Sequence, residues 1–66
     1  EALRDCRQML AKEHEVPAYV IFHDKTLQEM LQYRPKTAAE MLDISGVGQT
    51  KLDRYGDRFL EIIRQQ

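Results

Sequence analysis

Apolar side chains recur along this chain at helical rather than strand spacing, in several separate stretches. Leu3, Cys6, Met9 and Leu10 repeat at close to 3.6 residues, with Arg4, Asp5, Arg7, Gln8 and Lys12 on the other faces. That pattern predicts an amphipathic helix over residues 1–14. Val16-Pro17 ends it, because the residue before a proline is driven out of the helical region. The run Ala18–Phe22 has strand-like composition but no second strand to pair with, and a lone strand is unstable. It is expected to be a buried helical turn or an extended plug in the core. Asp24 is placed to cap the next helix, whose inner face would carry Leu27, Met30 and Leu31 and which Arg34-Pro35 stops. Thr37 and Glu40 have the spacing of a capping box. It would open a short helix with Met41 and Leu42 inward. Ile44–Gly48 forms a glycine turn, and a last helix runs from about Gly48 to the end with Leu52, Tyr55, Phe59, Ile62 and Ile63 inward. The expected architecture is all-α, a small bundle of four main helices plus one short helical turn.

Size and charge limit what such a bundle can do. Sixty-six residues, 42% of them apolar, support one core. A domain this small buries only about 60% of its unfolded surface. Cys6 is the single cysteine, so no intramolecular disulfide is possible, and a reducing compartment fits best. The longest apolar run, Ala18–Phe22, falls far short of the roughly 20 residues that span a bilayer, so no membrane partner is expected, and no signal peptide is visible. The chain starts at Glu1 and stops within a helical pattern, which reads as one module, residues 1–66, of a larger protein. Ten basic residues face eleven acidic ones, for a net charge of −1. Dedicated nucleic-acid modules usually carry a clear positive excess, so any DNA contact here would be weak and made through a local patch.

The residues with the most chemistry lie in two places. Gly46-Val47-Gly48 leads into a helix that carries Lys51, Arg54 and Arg58 at i, i+3 and i+7. One reading is a helix–helix turn in which the glycines serve geometry and Val47 plugs the core. The other adds a phosphate, held by amides at the helix start and by three cations on one face. Asp53, Asp57 and Glu61 on adjacent stripes would dilute that field, and a solvated mixed-charge face accounts for the pattern equally well. The second place is Tyr19. An exposed tyrosine near a helix end can stack on an unpaired base, worth roughly 1–3 kcal/mol. The alternative is a core tyrosine whose hydroxyl reaches solvent, since Val20 and Phe22 compete for the same core. Gly56 lies inside the last helix, where glycine costs about 1 kcal/mol relative to alanine, and close packing of another helix there would explain it. His14 and His23 are nine positions apart without a ligand set around them, so they do not suggest a metal site. Cys6 reads as a small buried hydrophobe, and Asp24 and Glu40 read as caps rather than an acid–base pair. No catalytic constellation is apparent.

Val16-Pro17-Ala18-Tyr19-Val20-Ile21-Phe22, Asp24-Lys25-Thr26-Leu27, Met41 through Gly48, Lys51 through Gly56 and Phe59-Leu60 follow one another in the order and spacing of a known pattern. The chain resembles an HRDC domain (helicase and RNase D C-terminal), most closely the C-terminal HRDC domain of bacterial RecQ-family DNA helicases. The resemblance implies a compact helical bundle with an auxiliary, non-catalytic role. The parent would be an ATP-dependent 3'-5' DNA helicase whose ATP and Mg, with Zn as a further candidate, sit outside this domain. No cofactor is implied within it. The implied partner is DNA, chiefly single-stranded or junction DNA, bound weakly and without sequence specificity. In RecQ-like members the tyrosine of the P-x-Y-V motif is the expected contact, here Tyr19, with Lys12 near it in sequence. The glycine turn also resembles, more loosely, half of a helix-hairpin-helix, which points to Gly46, Gly48, Lys51, Arg54 and Arg58 as a second patch. A bacterial cytoplasmic, nucleoid-associated monomer is expected. Two other readings keep the fold. In one, a protein-interaction module uses Glu13, Glu15, Asp43, Asp53, Asp57 and Glu61 to dock on the helicase core or a partner. In the other, the chain is the RNA-binding accessory domain of an RNase D.

Overall fold

A computed structural model describes residues 1–65. Helix α1 spans Ala2–His14, α2 Ala18–Ile21, α3 Asp24–Tyr33 and α4 Ala38–Leu42. A continuous helical run then follows, made of α5 (Gln49–Lys51), a π-helical turn (Leu52–Gly56) and α6 (Asp57–Arg64). The described residues form no strand, and the bundle of four main helices and one short turn is the expected one. Gln66, the end of the expected last helix, lies outside the described residues.

Local chemistry sets the helix ends. At the end of α1, Glu15 takes the left-handed conformation (φ 55°). The amides of Glu15 and Val16 turn back to the carbonyls of Lys12 and Ala11, closing the carbonyls that a helix end leaves open. The Thr37 hydroxyl accepts from the Glu40 amide at 3.1 Å, as the capping box requires. The Glu40 carboxylate reaches one residue further back than the ideal box, accepting from the Lys36 amide at 2.8 Å. Lys36 then ties this loop to the last helix: its ammonium donates to the Ile63 carbonyl at 3.1 Å, and its own carbonyl accepts from Arg64 Nε at 2.8 Å. A carbonyl in the last turn of α6 thereby gains a side-chain donor.

The core gathers Leu3, Cys6 and Leu10 from α1, Ile21 and Phe22, Leu27 and Met30 from α3, and Met41, Ile44 and Val47. The last helical run adds Leu52, Tyr55, Phe59, Leu60 and Ile63. Phe22 is its centre, edge-on to Phe59 (ring centroids 5.0 Å apart) and to Tyr55 (6.3 Å). Three expected inward residues face solvent instead: Met9, Leu31 and Leu42. Each sits beside a buried neighbour (Leu10, Met30 and Met41), and a helix in a bundle this small has room on its inner face for only one of the two. Ile62 is likewise only partly buried.

Two further expectations change. Asp24 is the first residue of α3, and His23 occupies the capping position. The last helix is not regular, because it widens into the π turn between Leu52 and Gly56. A side chain on Gly56 would collide with the Leu52 side chain one turn back, not with another helix. The end of the Leu52 side chain lies over the position where a side chain on residue 56 would stand, and it would have to shift to admit one.

Candidate nucleic-acid interface

The short helix α2 decides where Tyr19 points. Successive residues of a helix step by about 100°, so Ala18, Ile21 and Phe22 share one side and Tyr19 and Val20 the other. Ile21 and Phe22 are fully buried, and that leaves Tyr19 60% exposed. The ring stands out from the surface, which resolves the inward-or-outward alternative in favour of outward.

Beyond α2 the chain turns sharply. Phe22 is extended (φ −153°, ψ 147°) and α3 starts at Asp24. Arg7 of α1 fastens this junction: one guanidinium nitrogen donates to the Phe22 carbonyl at 3.0 Å and to Asp24 Oδ1 at 2.7 Å. The Arg7 side chain is nearly buried, at 14% exposure. The Arg7 hydrogen bond and charge hold the Asp24 carboxyl below its ordinary range. At the same junction the His23 ring lies against Tyr19, with centroids 6.0 Å apart and planes 26° from parallel. From the sequence alone, His23 is set aside as a metal ligand and is not paired with Tyr19. The spacing of four residues was the available signal, masked because the segment does not stay helical between them.

The three cations after the glycine turn do not form one free stripe. Lys51 is partly buried, its ammonium 5.9 Å from the centre of the Phe22 ring, within cation–π range. Arg58 turns toward α1 and pairs with Glu13 at 3.4 Å. Arg54 is exposed and has no ion-pair partner among the described residues. Lys51 thus reaches the segment that carries Tyr19, while Arg58 lies over α1. Lys12 is exposed in the last turn of α1.

In the glycine turn, Val47 is buried and plugs the core. Gly46 is left-handed (φ 87°), and the Thr26 hydroxyl occupies the space a side chain would need. That hydroxyl donates to the Ser45 carbonyl at 2.8 Å, and the Ser45 amide donates to the Glu29 carboxylate at 3.0 Å. The turn is therefore bound to α3 on one side. Gly48 has open space around it.

Other chemistry is sparse. Cys6 is buried, and burial pushes its thiol above the ordinary range. Among the described residues no three His, Cys, Asp or Glu side chains come together as a metal site. None of their helices is long and apolar enough to cross a membrane. A cavity of about 310 Å³, lined by Tyr33, Pro35, Glu40, Asp43 and Ile44, lies where α3 and α4 meet, and Tyr33 is 64% exposed there.

The described residues thus form a small all-helical bundle with an outward tyrosine and scattered cations and no strand. Residues 1–63 match the HRDC domain model, and the chain belongs to the HRDC family. It is 52% identical over 63 residues to an ATP-dependent DNA helicase RecQ of Pasteurella multocida, covering 96% of this chain and 10% of that protein. It is 44% identical over 64 residues to an ATP-dependent DNA helicase RecQ of Bacillus subtilis, covering 97% of this chain and 11% of that protein. The chain thus spans about a tenth of the length of these relatives. Among solved structures it is similar to "D. radiodurans RecQ HRDC domain 3", with a TM-score of 0.93 and 36% identity over 97% of this chain and 84% of that one.

Proposed function

We propose that this chain is a non-catalytic accessory domain of a RecQ-type ATP-dependent DNA helicase acting in the bacterial cytoplasm. It adds weak, sequence-independent affinity for single-stranded or partly single-stranded DNA and so tunes which substrates the helicase engages. The observation that carries this reading is Tyr19: a large ring, 60% exposed, on a turn anchored in the core by Ile21 and Phe22. Every base has a π-face, so a ring of this kind takes bases without reading their identity. Lys51 at the Phe22 ring, Lys12 and Arg54 supply phosphate contacts at a net charge of −1, which is why the affinity is low and strongly salt-dependent.

Tyr19→Ala should weaken binding to a short single-stranded oligonucleotide by roughly 1–3 kcal/mol and leave the circular dichroism and melting temperature nearly unchanged. Equal affinity of wild type and variant at low salt would refute the stacking role. Affinity insensitive to salt would refute the phosphate contacts.

A second reading, docking on the helicase core or a partner protein, is favoured by the exposed apolar side chains Leu31, Tyr33 and Leu42 on α3 and α4 and the cavity between those helices. Exposed apolar residues mark a protein contact when they join into one patch, and the cavity beside Tyr33 supplies the concave part of such a surface. Tyr33→Ser would reduce that docking and leave oligonucleotide binding intact.

A further inference from the structure

We propose that His23 is a positioning residue for Tyr19, and that the two rings form one platform that receives a single unpaired base on the outer face of the tyrosine. The inference rests on the DNA-binding reading above and adds a residue and a stoichiometry to it.

The position of His23 is unusual for what the backbone needs there. It is the N-terminal cap of α3, where Ser, Thr, Asp or Asn would accept a hydrogen bond from the first turn. The His23 side chain makes no such bond. Its ring lies along Tyr19 instead, at 6.0 Å and 26°, the offset arrangement aromatic pairs favour. The backbone that brings the rings together is fixed from both sides. Ile21 and Phe22, between them in sequence, are fully buried, and Arg7 clasps the Phe22 carbonyl and the Asp24 carboxylate. The core therefore sets the backbone positions from which the two rings meet.

An exposed tyrosine on a four-residue helix would otherwise sample several rotamers, and binding would have to freeze it. Ordering a side chain before the ligand arrives removes that penalty from the binding step. The stack also fixes which face is available. His23 lies along one face of Tyr19, so a base extending the stack adds to the opposite face. The platform accommodates one nucleobase and does not clamp between two.

The test uses the 66-residue chain and an oligothymidylate, followed by NMR titration. In the free protein, His23→Ala should move the Tyr19 ring-proton resonances downfield toward those of an unstacked tyrosine, with the remaining amide spectrum preserved. The same variant should weaken oligothymidylate binding by roughly 2- to 10-fold, the worth of one aromatic pair. His23→Phe, which keeps a ring and removes the imidazole nitrogens, should restore both the ring shifts and the affinity. The inference is overturned if His23→Ala leaves the Tyr19 resonances and the affinity unchanged, or if His23→Phe behaves like His23→Ala. In either case the DNA-binding reading stands as long as Tyr19→Ala still weakens binding. If Tyr19→Ala has no effect on binding, both fall together.

Discussion

Gly46 was a candidate phosphate contact, and the structure gives it a defined mechanical role that can be measured separately. Its backbone is left-handed, and the volume where a side chain would begin is filled by the Thr26 hydroxyl. Placing alanine there meets two penalties. A non-glycine residue in the left-handed region costs about 1–2 kcal/mol. The collision also forces Thr26, which is 4% exposed, to give up its 2.8 Å bond to the Ser45 carbonyl. The buried Thr26 hydroxyl then loses its partner, while the Ser45 carbonyl lies in an exposed residue, for about 1–2 kcal/mol more. Gly46→Ala should therefore destabilise by roughly 2–4 kcal/mol, a fall in Tm of about 15–30 °C for a domain of this size. Guanidinium denaturation followed by circular dichroism measures it. A double-mutant cycle isolates the collision. Thr26→Ala removes the obstructing oxygen, so in that background Gly46→Ala should cost only the conformational part, about 1–2 kcal/mol. Gly48→Ala, with open space around it and φ at −94°, serves as the control and should change stability by less than about 1 kcal/mol. If Gly46→Ala costs the same with and without Thr26, the steric argument is wrong. If it costs no more than Gly48→Ala, the turn is not strained as described.

The remaining predictions concern the core and its clasp. Phe59→Ala removes a fully buried ring that packs on Phe22 and should cost roughly 3–5 kcal/mol, comparable to the whole stability of a chain this short. A melting curve within a few degrees of wild type would refute the assigned core. Arg7→Ala leaves the Phe22 carbonyl without its donor and should destabilise by roughly 1–2 kcal/mol, whereas Asp24→Asn, at a side chain 65% exposed, should have a much smaller effect at neutral pH. Because Arg7 depresses the Asp24 pKa, the contribution of Asp24 is present in full above the unfolded carboxylate value of about 3.9. It is lost as pH falls through the lower folded value. A stability profile from pH 6 to pH 2 should fall less steeply for Asp24→Asn than for wild type, and identical slopes would count against the clasp. Cys6, buried with its thiol pushed up, should resist iodoacetamide in the native state and react on unfolding. Rapid native alkylation at neutral pH would contradict its placement.

The helix inventory was legible in the sequence because its signals are local. Apolar spacing, Pro17 and Pro35, and the Thr37–Glu40 box act within a few residues of themselves, and each appears in the structure where the sequence puts it. Which of two adjacent apolar residues enters the core was not legible. Met9 and Leu10, Met30 and Leu31, and Met41 and Leu42 are nearly equivalent in hydrophobicity, and only the neighbouring helices choose between them. The cation stripe was read from a regular helix, but Lys51 is drawn to Phe22 and Arg58 to Glu13, partners 29 and 45 positions away in sequence. The candidate site divides in the same way. The sequence by itself determined that a tyrosine stands in a turn between helices, since Pro17 and the apolar run require that turn. Only the tertiary structure decided that the ring faces outward, because Ile21 and Phe22 take the core. The pairing with His23 also depends on the tertiary structure, through an Arg7 clasp that spans two helices. Burial is a competition among residues distant in sequence, and its outcome is fixed only when all the helices are packed together.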